Sequence, residues 1–194
     1  RFQEQGLGFF NRVELPWGLE AVLAFLALDL IIYLQHLLFH AVPLFWRFHR
    51  VHHADLDFDA TTGNRFHPFE IALSLLIKLA AVALLGPSPE VVMAFEVALN
   101  ACAIFNHSNI GLPGALERFV RLFLVTPDMH RVHHSVVKEE TDSNFGFNLP
   151  WWDRLFGTYR ADAQAGQAGM TIGLSEFRDP ADQSFTGMPL LPFK

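Results

Sequence analysis

The chain has 194 residues, 51% of them hydrophobic, and a formal net charge of −6 with its basic residues scattered singly or in pairs. It is long enough for one domain, and its charge pattern gives no electrostatic footprint for binding nucleic acid. The single cysteine, Cys102, excludes a disulfide framework and a metal site built from thiolates.

The apolar residues, including 20 Phe, are concentrated in long stretches, as is typical of a helical protein embedded in a membrane. The first stretch, 17–34, is apolar apart from Glu20 and Asp29 and continues with helical periodicity to His40, before Pro43 breaks the helix. We therefore expect a transmembrane helix whose C-terminal end extends out of the bilayer. The chain starts with Arg rather than Met, and the segment before Pro16 is short and polar. We therefore also expect one or more further helices upstream.

Two further apolar stretches, 69–85 and 90–105, flank a Gly-Pro-Ser-Pro turn at 86–89. Each approaches the length needed to cross the hydrocarbon core, so together they predict a hairpin of two transmembrane helices. Lys78 and Glu96 lie about equally far from the turn, so antiparallel helices bring them level, and pairing would explain why lipid tolerates both charges. The alternative is that each side chain separately reaches the interface or faces a cavity.

Shorter elements follow the hairpin. The amphipathic stretch 116–125 is too short to span a bilayer and suits its interface, as does the aromatic segment 149–156. Residues 161–194 are rich in Gly, Ala and Asp and are expected to form a loose tail. The sequence thus predicts a single domain over 1–194 with its core at 17–160, an all-α integral-membrane helical bundle under a histidine-rich cap.

Histidine is the unusual feature of the composition. His36 and His40 are spaced i, i+4 and share a helix face, and the motif H-x-x-H-H then occurs at 49–53 and again at 130–134. With 10 His in 194 residues, about 0.03 copies of that motif are expected by chance. A lone His at a helix end usually indicates only an interfacial polar residue. Clustered protonated imidazoles would repel each other, however, so a shared metal explains the pattern better.

The predicted topology brings all of the histidines to one side of the membrane. The hairpin starts and ends on the same side, so His67 and His107 share a face, to which the first span also delivers its histidines. The same segments carry arginines, which indicate the cytoplasmic face by the positive-inside rule. These arginines are Arg47, Arg50, Arg65, Arg118, Arg121 and Arg131.

The ligand type leaves several metals and functions open. Imidazole suits zinc, copper, iron and nickel, but nine histidines are too many for one tetrahedral zinc and about right for two ions of higher coordination number. A bis-His haem would require single histidines on separate spans. A zinc-dependent membrane hydrolase, a metal transporter or storage protein, and a structural membrane protein that binds little metal remain alternatives.

The order of these motifs resembles the fatty acid hydroxylase/sterol desaturase superfamily. The stretches FHRVHH, RFHPFE, FNHSN, TPDMHRVHHS and NFGFNLPWWDRLFGTY are similar to its bacterial sterol-desaturase-like branch, and the resemblance covers roughly residues 25–160. It implies a multi-pass membrane enzyme with a non-haem di-iron centre that uses O2 to hydroxylate or desaturate a lipid. It also implies a separate electron donor, a small cytochrome or ferredoxin with a reductase. Zinc can replace iron in purified protein of this kind.

Matched residue by residue, the resemblance implies nine metal ligands. They are His36, His40, His49, His52, His53, His107, His130, His133 and His134. Some relatives carry a second His shortly after the lone one, where this chain has Ser-Asn-Ile-Gly, so either one iron keeps an open or water-filled position or Asn109 assists there.

Other polar residues are expected to support a ligand or to line the substrate cavity. His67 lies in a recurring family element but at a helix entry, so a supporting role suits it better than ligation. Asp29 shares a helical stripe with Tyr33, His36 and His40, and packing between helices is an equal alternative for it. Asp128 and Asp153 lie near the final cluster and are expected to support it.

Overall fold

The computed structural model describes residues 5–194, and within that range the chain is helical and contains no β-strand, which confirms the all-α class. The α-helices are α1 (Trp17–Ala41), α2 (Pro43–His53), α3 (Pro68–Leu85), α4 (Pro89–Asn106), α5 (Gly114–Val120), α6 (Pro127–His133), α7 (Lys138–Thr141), α8 (Trp151–Phe156), α9 (Gly166–Gly169) and α10 (Pro180–Gln183). Two 3-10 helices span Thr62–Asn64 and Met188–Phe193. Residues 1–4, the start of the predicted domain, lie outside the described range.

Three of these helices, α1, α3 and α4, are long and apolar enough to cross a membrane. Few residues of α3 and α4 are buried within the protein, and side chains such as Leu76 and Leu84 face outward, where lipid would contact them. The structure and the composition thus agree on a membrane protein.

The break after α1 sets the direction of the next helix. Val42 is extended, and Pro43 then occupies the first turn of α2, where its missing N–H costs no hydrogen bond. Two helices with histidines on their facing sides therefore follow each other directly, α1 ending just after His40 and α2 ending at His53.

The predicted hairpin is formed by α3 and α4. Gly86 ends α3 in the left-handed conformation at φ 68°, and the Ser88 side chain caps the start of α4 by accepting from the Val91 N–H. The Lys78 ammonium lies 2.8 Å from the Glu96 carboxylate across the hairpin, which confirms the predicted ion pair.

The C-terminal segment does not form the loose tail expected from its composition. Leu191 is fully buried and packs with Leu174 and Phe177 against Val51 of α2, while the Arg50 guanidinium donates to the Leu191 carbonyl at 2.5 Å. A few well-spaced apolar residues in an otherwise polar segment are sufficient to fix it to α2.

The short helices α5 and α8 present an apolar surface beside the spans. The Trp151 indole donates to the Leu122 carbonyl at 2.7 Å, and the Phe156 ring stacks on Tyr33 of α1 at a centroid distance of 5.5 Å. Phe119 and Leu155 are exposed nearby. This aromatic and apolar surface fits the membrane interface expected for both segments.

Candidate metal centre

Nine histidines meet where the ends of four helices converge. Two come from the last turns of α1, three from α2, one from the C-terminal end of α4, and three from α6 and the residue after it. Their nitrogen atoms form two groups, and the atoms within each group lie within 4.8 Å of one another. The first group is His36, His40, His49, His53 and His133, and the second is His52, His107, His130 and His134.

The two H-x-x-H-H motifs are each divided between the groups. His49 and His53 belong to the first group and His52 to the second, whereas His130 and His134 belong to the second and His133 to the first. In a helix, i and i+4 differ by about 40° in direction, whereas i+3 and i+4 differ by about 100°. Each motif therefore directs its i, i+4 pair to one group and its middle histidine to the other.

The groups are in direct contact with each other. The His53 and His134 rings lie 4.5 Å apart between centroids, and those of His130 and His133 lie 5.1 Å apart. Within the second group, His107 Nε2 lies 3.2 Å from His52 Nε2 and 3.0 Å from His130 Nε2. Such spacing suits two ions held a few ångströms apart rather than two separate sites.

Backbone carbonyls fix the rings of four histidines. The acceptors of their Nδ1–H groups are the carbonyls of Phe145 at 2.8 Å for His36, Thr62 at 3.0 Å for His52, Ala103 at 2.7 Å for His107 and Ser143 at 2.7 Å for His133. Donation from Nδ1 leaves the Nε2 lone pair free to face the centre, as a metal ligand requires.

Carboxylates contact two other histidines. Glu70 Oε1 lies 2.6 Å from His49 Nδ1, with both side chains buried, and Asp142 Oδ1 lies 3.4 Å from His40 Nδ1 on the more exposed side of the cluster. Sequence reasoning missed Glu70 and Asp142. The signal for Glu70 was a carboxylate at the entry of an otherwise apolar span, two residues after Pro68.

Several buried ring nitrogens have no hydrogen-bond partner among residues 5–194. These are Nε2 of His40 and His49, Nδ1 of His130, and both nitrogens of His53 and His134. A buried polar atom without a partner is costly, because it loses its bonds to water and gains none. These nitrogens all belong to imidazole rings and form no hydrogen bond to the described part of the chain, so they fit metal ions placed between the rings.

Burial keeps four of the histidines, His52, His107, His133 and His134, in the neutral form that binds metals. It lowers the pKa of His107 to about 4 and that of His133 to about 3. Burial and neighbouring imidazoles lower the pKa of His52 and His134 well below the usual range. At neutral pH these four rings carry no charge that would repel a cation.

A cavity of about 360 Å³ leads from the histidines into the membrane-spanning region. His36, His49 and His52 line one end, so the cavity reaches both groups. Its walls come mainly from the three spans and are largely apolar, with Ile32 and Leu99 among the lining residues. The volume and lining suit part of a lipid molecule.

None of the five supporting residues expected from sequence belongs to either histidine group, and His67 and Asn109 form hydrogen bonds to residues outside the groups. His67 caps α3, where its Nδ1 accepts from the Phe69 N–H at 3.2 Å, and its ring packs on Phe48. Asn109 is exposed and accepts from Arg131 at 3.0 Å, so the structure gives it no contact with the cluster.

The three aspartates differ in how they are connected to the histidine groups. Asp153 is buried and accepts from the Phe145 and Gly146 N–H groups, each at 2.8 Å, so it holds the loop whose carbonyl accepts from His36. Asp29 accepts from the Trp152 indole at 2.8 Å and thereby joins α1 to α8. Asp128 is half-buried in the first turn of α6, where burial raises its pKa.

Comparison with known proteins agrees with this geometry. The ornithine lipid hydroxylase OlsE of Rhizobium tropici is 30% identical over 74% of this chain and 43% of its own length. Human alkylglycerol monooxygenase is 31% identical over 84% of this chain and 35% of its own length, and human cholesterol 25-hydroxylase is 28% identical over 70% and 49%. No solved structure matches the chain significantly.

The chain thus spans less than half the length of these relatives. The sequence profile of the fatty acid hydroxylase family matches residues 21–158, which include, in whole or in large part, the three helices that are long and apolar enough to cross a membrane, and every histidine of the two groups. The chain therefore belongs to the fatty acid hydroxylase family.

Proposed function

We propose that the nine histidines bind two iron ions and that the protein uses O2 to hydroxylate a C–H bond of a membrane lipid. The observation that carries the proposal is the position of the two histidine groups, side by side at the end of a largely apolar cavity between membrane-spanning helices. The histidine groups and the cavity share His36, His49 and His52. This arrangement suits oxidation of the part of a lipid that the cavity would hold.

Iron is favoured over zinc by the size of the ligand set. Zinc in proteins takes four ligands, whereas the first group offers five imidazoles and still borders the cavity. Bound iron would supply O2 activation and the abstraction of hydrogen from an unactivated C–H bond. The overall reaction inserts one oxygen atom into the C–H bond and reduces the other to water, which consumes two electrons and two protons.

The protein's own residues hold the metals and exclude water from them. Carbonyls of the loops and helix ends fix the imidazole tautomers, and apolar residues such as Phe39 and Phe147 line the cavity beside the histidines. The walls contributed by α1, α3 and α4 would place one carbon of the lipid next to His36, His49 and His52.

Lipid hydroxylation is favoured over desaturation by the names of the relatives, which are hydroxylases and monooxygenases. Their substrates differ in chemistry, so the family suggests a lipid without selecting one. The sequence contains no flavin or nicotinamide motif, so the electrons would come from a separate donor, a small cytochrome or ferredoxin with a reductase, or from a further domain.

We place the metal centre at the cytoplasmic face of a multi-pass membrane protein. Support comes from the arginines that accompany the histidines on one side of the spans, among them Arg47, Arg50, Arg65 and Arg131. That side would also be accessible to a soluble electron donor.

The test is anaerobic reconstitution with Fe²⁺, followed by reduction and exposure to ¹⁸O2 in membranes that contain candidate lipids. Ornithine lipid, alkylglycerol and cholesterol are the first probes. We expect mass spectrometry to find ¹⁸O in a lipid product from the iron-loaded protein and none from the zinc-loaded protein. Equal product from both, or oxygen that derives from water, would contradict the proposal.

A further inference from the structure

The contact between His49 and Glu70 differs from those of the other histidines. His36, His52, His107 and His133 donate to neutral backbone carbonyls, and Asp142, which faces His40, has a side chain 38% exposed to solvent. Glu70 Oε1 lies 2.6 Å from His49 Nδ1, and the Glu70 side chain is 5% exposed. Among residues 5–194, it is the buried carboxylate that contacts the cluster.

The position of Glu70 in α3 makes a buried negative charge tolerable. It lies in the first turn of the helix, after the His67 cap and Pro68, where free N–H groups and the helix dipole favour an anion. The described part of the chain offers it no lysine or arginine within salt-bridge distance. Its hydrogen-bond partner is the His49 ring, so the carboxylate acts on that ligand rather than on a cation elsewhere.

The same contact determines which nitrogen of His49 is free. Since a carboxylate accepts and does not donate, Nδ1 carries the hydrogen and Nε2 keeps its lone pair. The Nε2 atom is buried and has no hydrogen-bond partner within the described residues, and His49 belongs to the five-histidine group. The carboxylate thus points the lone pair toward the other imidazoles and makes it more basic.

We propose that Glu70 is a positioning residue of the metal centre, which orients His49 and gives an otherwise neutral ligand set one buried negative charge. It also lines the cavity, together with His49, and a neighbouring apolar groove of about 260 Å³ between α2 and α3. The inference rests on the proposed two-metal site but is tested by metal affinity rather than by turnover.

The experiment compares Glu70→Ala and Glu70→Gln with the wild-type protein in detergent. Metal-free protein is titrated with Fe²⁺ under anaerobic conditions against a chelator of known affinity, and the melting temperature of each metal-free protein is measured in parallel. The matched control is Glu90→Ala, which removes a carboxylate from the first turn of α4, another helix that starts with Pro, at an exposed site away from the histidines.

We expect Glu70→Ala to weaken the binding of one of the two ions by about 10–100-fold, the range found for groups that support metal ligands. Glu70→Gln should fall between wild type and Glu70→Ala, because an amide oxygen still accepts from His49 but carries no charge. Glu90→Ala should bind two ions as the wild type does.

Three outcomes would overturn the inference. The first is wild-type Fe²⁺ affinity in Glu70→Ala. The second is wild-type affinity in Glu70→Gln, which would show that the charge has no role. The third is an equal loss of affinity in Glu70→Ala and Glu90→Ala, which would indicate an effect on helix stability alone. If Glu70→Ala does not fold, the isosteric Glu70→Gln protein decides the matter. A wild-type protein that binds no Fe²⁺ would instead refute the proposed function itself.

Discussion

The His53 and His134 rings stack with their centroids 4.5 Å apart and their planes 16° from parallel, although one belongs to the first histidine group and the other to the second. Helix α2 contributes to both groups, and so does the segment formed by α6 and His134. The two groups therefore share their supporting backbone, and damage to one should disturb the other.

The first prediction follows from that shared backbone. Replacement of His133 by Ala removes a ring in contact with His36, at 3.0 Å between Nε2 atoms, and should abolish lipid oxidation and lower metal content toward half or less. His52→Ala should behave in the same way. Both proteins should still insert into membranes, because insertion depends on the apolar spans. Metal analysis and membrane fractionation measure these outcomes.

His67→Ala is the matched control for these substitutions. His67 caps α3 and lies outside both groups, so its loss should cost about 0.5–2 kcal/mol of stability with nearly unchanged metal content. Any loss of activity should stay within about 10–100-fold. A fully active, metal-replete His133→Ala protein would end the two-metal account, and a metal-depleted, inactive His67→Ala protein would make His67 a ligand.

The Lys78–Glu96 pair should behave as a coupled unit. Lys78→Met leaves Glu96 without its partner in the hairpin and should destabilise the protein by about 2–3 kcal/mol, since an unpaired charge among lipid is costly. The double change of Lys78 to Met and Glu96 to Leu should recover most of that loss. Unfolding in detergent provides the free energies for a double-mutant cycle. Additive losses in the single and double variants would show that the pair is not coupled.

Asp153 should support the centre through the backbone rather than by contact with a ligand. In Asp153→Ala, the buried N–H groups of Phe145 and Gly146 lose their acceptor, at about 1–3 kcal/mol each, and the carbonyl that accepts from His36 is free to move. The expected result is a lower melting temperature together with weaker metal binding. Asp29→Ala is the comparison, because it removes a contact to Trp152 and leaves the Phe145 loop intact. Equal metal affinity in Asp153→Ala and wild type would contradict this role.

The metal-free protein should lose stability as the pH falls below about 6.5. An unfolded histidine takes up a proton near pH 6.5, whereas burial lowers the pKa of His107 to about 4 and of His133 to about 3. Below pH 6.5 the unfolded chain therefore binds more protons than the folded one, and each such histidine costs up to about 1.4 kcal/mol per pH unit until the folded pKa is reached.

Melting temperatures at pH 7.5 and 5.5 measure this effect. The decrease should be smaller in His107→Gln, which has one such group fewer, and smaller in the metal-loaded protein at a pH where the ions remain bound. A melting temperature that does not change over this range would show that the buried histidines are not what links stability to pH.

The sequence predicted the spans and the clustering of histidines because helical periodicity acts over a few residues. The i, i+4 spacing of His36 and His40 and the level positions of Lys78 and Glu96 both follow from helix geometry alone. The division of each H-x-x-H-H motif between two groups did not follow, because it depends on how α1, α2 and α6 pack against one another.

Three other features depended on contacts that are distant in sequence. Glu70 lies at the start of an apolar span, and nothing local in the sequence indicates that α2 places His49 beside it. Asn109 was expected near the metals from its distance to His107, but the turn after α4 directs it toward Arg131. The burial of Leu191 against α2 was likewise invisible in a segment rich in Gly and Asp.

The most direct test of the central claim is anomalous diffraction at the iron absorption edge from protein reconstituted with Fe²⁺. We predict two peaks per chain a few ångströms apart, one among His36, His40, His49, His53 and His133 and one among His52, His107, His130 and His134, with metal–nitrogen distances of about 2.0–2.3 Å. A single peak, or iron bound away from these histidines in a folded protein, would contradict the account.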